Sequence, residues 1–133
     1  MVETRKYTLA VRAAGNFPET RERVIEALKV EGFGVVTELD VRETLKQKIG
    51  ADFRPYTILG ACNPQIAHEA LTMELDLGAL MPCNVVVYSN GDGSCTVSAI
   101  DPEGQFGRTA NSTLAPLAKE ARARLERVLQ SIG

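Results

Sequence analysis

Two cysteine–asparagine pairs, Cys62-Asn63 and Cys83-Asn84, are the residues of this chain best suited to chemistry. The first closes the run D-F-R-P-Y-T-I-L-G-A-C-N-P (Asp52 to Pro64), and the second sits inside M-P-C-N-V-V-V-Y (Met81 to Tyr88). Two thiolates brought together, helped by His68 or by the thioether of Met81, make a soft donor set for Cu(I) or Zn(II). The same two thiols also suit redox or sulfur-transfer work, one as nucleophile and the other resolving. That needs Cα atoms about 4.4–6.8 Å apart. No C-x-x-C or zinc-finger spacing is present, so either chemistry depends on the fold to unite them. Cys95 alternates with Val97 and Ala99 and reads as a small buried hydrophobe.

A second chemistry is the capture of a small anion. Arg54 offers a guanidinium fork for carboxylate or phosphate, and Asn63 with the amides that follow Pro64 offers a helix-start anion site. Glu38 and Asp40 fall on one strand face, as an acid–base pair, as ligands for a hard metal, or simply as the solvated side. His68 lies off the apolar stripe of its helix and reads as solvent-facing.

The elements that must position these residues follow from periodicity. Residues 4 to 12 alternate loosely, with Tyr7, Leu9 and Val11 on one face of a half-buried strand. Pro18 and Glu19 open a helix with Val24, Ile25 and Leu28 inward, and Gly32 stops it. From Phe33 to Val41 the odd positions Phe33, Val35, Thr37, Leu39 and Val41 share a side, opposite Glu38 and Asp40. Asp40 and Glu43 have capping-box spacing for a short helix ending at Gly50. Tyr56 to Ala61 is a buried strand that delivers Cys62 to its tip, and Asn63-Pro64 then starts a helix running to about Met73. The start of that helix lowers the pKa of an accessible thiol beside it.

Beyond a short helical turn at Leu75 to Leu80, Pro82 forces an extended entry into Cys83 to Ser89. Asn90-Gly91-Asp92-Gly93 is a hairpin turn, which pairs that strand with Ser94 to Asp101. The run Val85 to Tyr88 fits a strand covered on both faces, by helices on one and by a partner on the other. Leu114, Leu117, Ala118, Ala121, Leu125, Val128, Leu129 and Ile132 form the stripe of a long C-terminal helix with Pro116 in its first turn.

Composition narrows the function classes. The 133 residues, 44% hydrophobic and 24% charged, suit one globular domain with a core of its own. A net charge of -2 gives no electrostatic footprint for nucleic acid, and aromatic residues at 5% supply no RNA-stacking strand. No apolar run is long enough for a membrane span and no signal-peptide pattern opens the chain, so the expected setting is cytoplasmic. Three cysteines make no disulfide framework. A single histidine and the absence of G-x-S-x-G leave little for a hydrolytic triad, and no glycine-rich phosphate loop follows a strand.

The runs G-F-G-V-V-T-E-L-D-V (Gly32 to Val41), D-F-R-P-Y-T-I-L-G-A-C-N-P and P-C-N-V-V-V-Y resemble the signature of the domain-of-unknown-function 302 family over nearly the whole chain. That resemblance implies an α+β fold of the TATA-box-binding-protein type, a curved antiparallel sheet backed by helices, as a homodimer. It implies no DNA binding and brings no catalytic residues to carry over. The expected functional surface is therefore Arg54, Cys62, Asn63, Cys83 and Asn84, flanked by Glu38 and His68. Binding of a small ligand or soft metal there is favoured over catalysis, because no convincing acid, base and nucleophile set accompanies these residues. Thiol redox chemistry and a homodimeric interaction module are the alternatives.

Overall fold

Short polar side chains set most of the helix starts. In the computed structural model, which describes residues 1–133, Asn16 accepts from the Glu19 amide at the head of α1 (Phe17–Val30), and Asp40 from Glu43 at the head of α2 (Val41–Ile49). Asn63 does the same from Ile66 for α3 (Pro64–Met73), and Asp101 from Glu103 for α4 (Pro102–Gly107). Each such cap contributes about 1 kcal/mol by satisfying an orphan amide. The final helix, α5 (Ala115–Ile132), has no side-chain cap and starts instead on a proline in its first turn. No helix is long and apolar enough to cross a membrane.

Six strands form one antiparallel sheet: β1 (Glu3–Thr4), β2 (Thr8–Ala14), β3 (Gly34–Asp40), β4 (Tyr56–Cys62), β5 (Cys83–Ser89) and β6 (Ser94–Ile100), in the spatial order β1-β2-β6-β5-β4-β3. The architecture is the expected curved antiparallel sheet backed by helices. The Asn90–Gly93 hairpin sets β5 against β6 with Ser89 opposite Cys95. Side chains alternate across the sheet. One face places Leu9, Val11, Leu59, Val85, Val87 and Val97 against Val24 and Leu28 of α1 and Leu125, Val128 and Leu129 of α5. Most of these are fully buried, and each contributes about 1.5–3 kcal/mol of burial energy. Cys95 belongs to this core, as expected. A second, smaller core gathers Ile66, Ala70, Leu77, Phe106, Leu114 and Ala118 where α3, α4 and α5 meet beyond the sheet.

Two local expectations are corrected. The alternation around Tyr7 does not extend back to residue 4, because Arg5 to Tyr7 turn between β1 and β2, with the Arg5 amide bonded to the Thr8 carbonyl at 2.8 Å. Tyr7 therefore lies before the strand and is 71% exposed instead of facing the core with Leu9. In β3 the register against β4 slips between Val35 and Thr37. Such a bulge adds one unpaired residue and reverses the faces beyond it. Glu38 and Asp40 consequently stand opposite Leu59 and Thr57, on the helix-covered side, while Thr37 and Leu39 turn to the other face.

That other face is crossed closely at Gly60. A Cβ built there would run into Thr37 Oγ1 and come within 2.7 Å of Pro82 Cγ. Gly60→Ala is therefore expected to lower stability by about 1–3 kcal/mol through overpacking. Urea unfolding of the variant measures it, and an unchanged midpoint would mean that the strands separate there at no cost.

Candidate functional site

The two cysteines line one cavity where the end of β4 meets the start of β5. Ala61 of β4 stands directly opposite Cys83, the first residue of β5, so Cys62 lies one position off register at the point where β4 ends and α3 begins. Both are free thiols. They line one small cavity of about 20 Å³ together with Met81, Asn63 and the apolar side chains of Phe33, Ile66 and Phe106. A void of that size holds one water-sized guest and no organic molecule. Burial pushes the Cys83 thiol up to about 11, and Cys62 adds a smaller push in the same direction. At Cys83 desolvation of the thiolate is the dominant cause.

The remaining expected residues disperse. Asn63 spends its side-chain oxygen on the Ile66 amide. Asn84 is exposed on the opposite face of the sheet. Arg54 is exposed beyond the other end of β4, roughly 20 Å of strand from Cys62, and donates to the Ser89 carbonyl at 3.1 Å instead of facing the thiols. His68 is exposed on α3 and does not line the thiol cavity. No three His, Cys, Asp or Glu side chains gather anywhere in a position to hold a metal ion. Glu38 is held by Arg21 through Nε at 2.7 Å and Nη2 at 2.6 Å, and by the Thr57 hydroxyl at 2.9 Å. The Arg21 bonds come first in holding its carboxyl below the usual range. It fastens α1 to the sheet, and Asp40 is consumed as a helix cap.

A larger recess lies on the sheet face that α1 and α5 leave bare. It encloses about 460 Å³ between Tyr56, Asn84, Val86 and Tyr88 on one side and Arg5, Lys6, Tyr7, Thr8, Ser98 and Ile100 on the other. All three tyrosines of the chain converge here. Tyr56 and Tyr88 are cross-strand partners whose rings stack at 5.3 Å with 7° between their planes. Phe53 leans on Tyr56 at 5.9 Å. Arg5 lies against Tyr88, the main reason its guanidinium is held above its ordinary pKa, and it also meets Glu3 at 3.5 Å. Lys6 makes no ion pair. Burial, followed by Tyr88 and Tyr7, pushes the Tyr56 phenol up, so its hydroxyl stays neutral.

Of the expected site only Asn84 falls in this groove. The others were missed because each tyrosine, taken singly, reads as a strand residue. The signal was the pairing itself: Y-T-I-L-G-A-C begins with Tyr and ends with Cys, whereas C-N-V-V-V-Y reads the reverse. Antiparallel alignment of the two puts both cysteines at one end and both tyrosines at the other.

A family model described as domain of unknown function DUF302 matches residues 7–132. Among solved structures, the crystal structure of the uncharacterized conserved protein DUF302 from Bacillus stearothermophilus is 34% identical. It superposes with a TM-score of 0.89, covering 97% of this chain and 100% of that one. No curated protein matches.

The Cys83 environment carries a pH signature. Its thiol ionises at the ordinary 9.0 in the unfolded chain and at about 11 in the folded one. The stability it adds is full below pH 9 and is lost as pH rises towards 11, because the unfolded state releases its proton first. Between those limits the parent should lose more stability than Cys83→Ala, as read from denaturation at each pH. Parallel slopes would show that burial does not act on this thiol.

Proposed function

Starting from the fact that the chain belongs to the DUF302 family, we propose that it is a binding domain for a small anion bearing a planar ring, seated in the tyrosine groove of the bare sheet face. The observation that carries this reading is the convergence of all three tyrosines beside Arg5 and Lys6 around a recess of about 460 Å³. That volume is within the range of small-molecule sites, roughly 300–1,000 Å³. The stacked pair Tyr56–Tyr88 offers a flat apolar wall for a ring. The ammonium of Lys6 supplies an uncommitted positive charge, and Asn84, Thr8 and Ser98 add orienting hydrogen bonds. The thiol cavity is too small for such a ligand and Arg54 lies outside the groove, so this reading seats the ligand on the other face of the sheet.

A second reading, a homodimer seated on the same face, is favoured by the exposure of Tyr7 (71%) in the groove and of Leu39 (47%) elsewhere on that face. Sedimentation at micromolar concentration tests it, with Tyr7→Glu expected to convert dimer to monomer. A parent that sediments as monomer removes it.

The chain has no tryptophan, so its intrinsic fluorescence comes from the three groove tyrosines alone. Titration with anilinonaphthalene sulfonate, a planar aromatic anion, should quench that emission as the dye's own rises, and benzoate should compete. Tyr88→Ala and Lys6→Glu are each expected to weaken binding about tenfold, which corresponds to about 1.4 kcal/mol. Cys62→Ser should leave it unchanged. Equal affinity in the parent and both groove variants would locate the dye elsewhere and reject the groove.

A further inference from the structure

The small cavity at the other end of β4 and β5 is independent of the tyrosine groove and has a different chemistry. Of the six sulfur-bearing residues in the chain, three line it: Cys62, Cys83 and Met81. Of the others, Cys95 is buried in the main core, while Met1 and Met73 are exposed. The rest of the wall is apolar apart from Asn63, whose oxygen is already committed to the Ile66 amide. No carboxylate and no imidazole reaches it.

We propose that this cavity is a binding site for a single soft monovalent ion, Cu(I), held by the two cysteine sulfurs with the Met81 thioether as third donor. Donor type decides the class of ion: thiolate and thioether select Cu(I), whereas hard cations require the oxygen ligands this wall lacks. Zn(II) in a structural site is held almost always by four nitrogen or sulfur ligands, and only three sulfurs are present, with His68 outside. Size agrees, because about 20 Å³ admits one ion and nothing larger. On binding, both thiol protons pass to solvent. The bis-thiolate with Cu(I) keeps one net negative charge, which the N-terminus of α3, starting at Pro64, faces with its positive end. Both cysteines are partly exposed, so the cavity is open to ions from solvent.

The test is a titration of anaerobically reduced full-length protein with Cu(I) in competition with bathocuproine disulfonate. One ion per chain is expected. Cys62→Ser and Cys83→Ser should each abolish binding, Met81→Leu should weaken it severalfold, and Cys95→Ala should keep the stoichiometry. X-ray absorption at the copper edge of the loaded parent should read sulfur donors alone, a result that does not depend on whether the variants fold. Failure to compete with the chelator, retention of copper in both cysteine variants, or nitrogen and oxygen donors at the edge would each overturn the site.

Discussion

The pairing of β4 with β5 is the constraint on which the rest of the molecule depends. Once Ala61 is set opposite Cys83, every other neighbour along the two strands is fixed, ending with Tyr56 opposite Tyr88. The register thus separates two chemistries along one ladder: sulfur at the end where α3 starts, phenols at the end where the chain arrives from α2. A slip of one residue would turn Val85, Val87 and Leu59 away from the helices, so the hydrophobic energy of the core opposes any other register. The sulfur end and the tyrosine end of the ladder are therefore held in place by the same burial that holds the fold.

The helices divide their work accordingly. α1 and α5 close the main core and are tied to one another at their ends. Arg124 donates to the Glu31 carbonyl at the end of α1, Arg127 grips the Glu31 carboxylate, and Arg23 donates to the Ile132 carbonyl at the end of α5. The carbonyls at a helix C-terminus lack partners within the helix, and a guanidinium satisfies them while meeting the negative end of the dipole. α3, α4 and the first half of α5 build the smaller core instead, and its Phe106 borders the thiol cavity. One sheet face is thereby packed under helices and the other left bare.

Much of the architecture was legible because local chemistry and global fold agree in this chain. Asp40 with Glu43, Asn63 with Pro64 and the Asn90–Gly93 turn each announce a boundary that the structure keeps. The apolar stripe of α5 likewise reads directly as the side that meets the sheet. The failures share a cause. At Tyr7 and at Val36, period-two alternation was carried across a turn and a bulge, and neither interruption has a side-chain signature of its own. The expected site gathered residues that are close in sequence, such as Arg54 and Cys62. A strand between them separates what sequence proximity suggests, and Arg54 answers to Ser89 on the neighbouring strand. Glu38 looked available because the bulge that turns it towards Arg21 was not visible. Residues distant in sequence, Arg5 and Tyr88, are instead the ones that meet.

The bulge in β3 reaches further than the orientation of Glu38. β3 is a terminal strand of the sheet, and the strand at the opposite border, β1, is only two residues long. A long flat border would offer a ladder of unpaired amides and carbonyls to any other extended chain, but here one border is kinked and the other is too short to template a neighbour. Lateral growth of the sheet, the route to fibrils, is discouraged at both sides. Contact with another extended chain is thereby steered away from the borders and towards the faces, where side chains rather than backbone meet it.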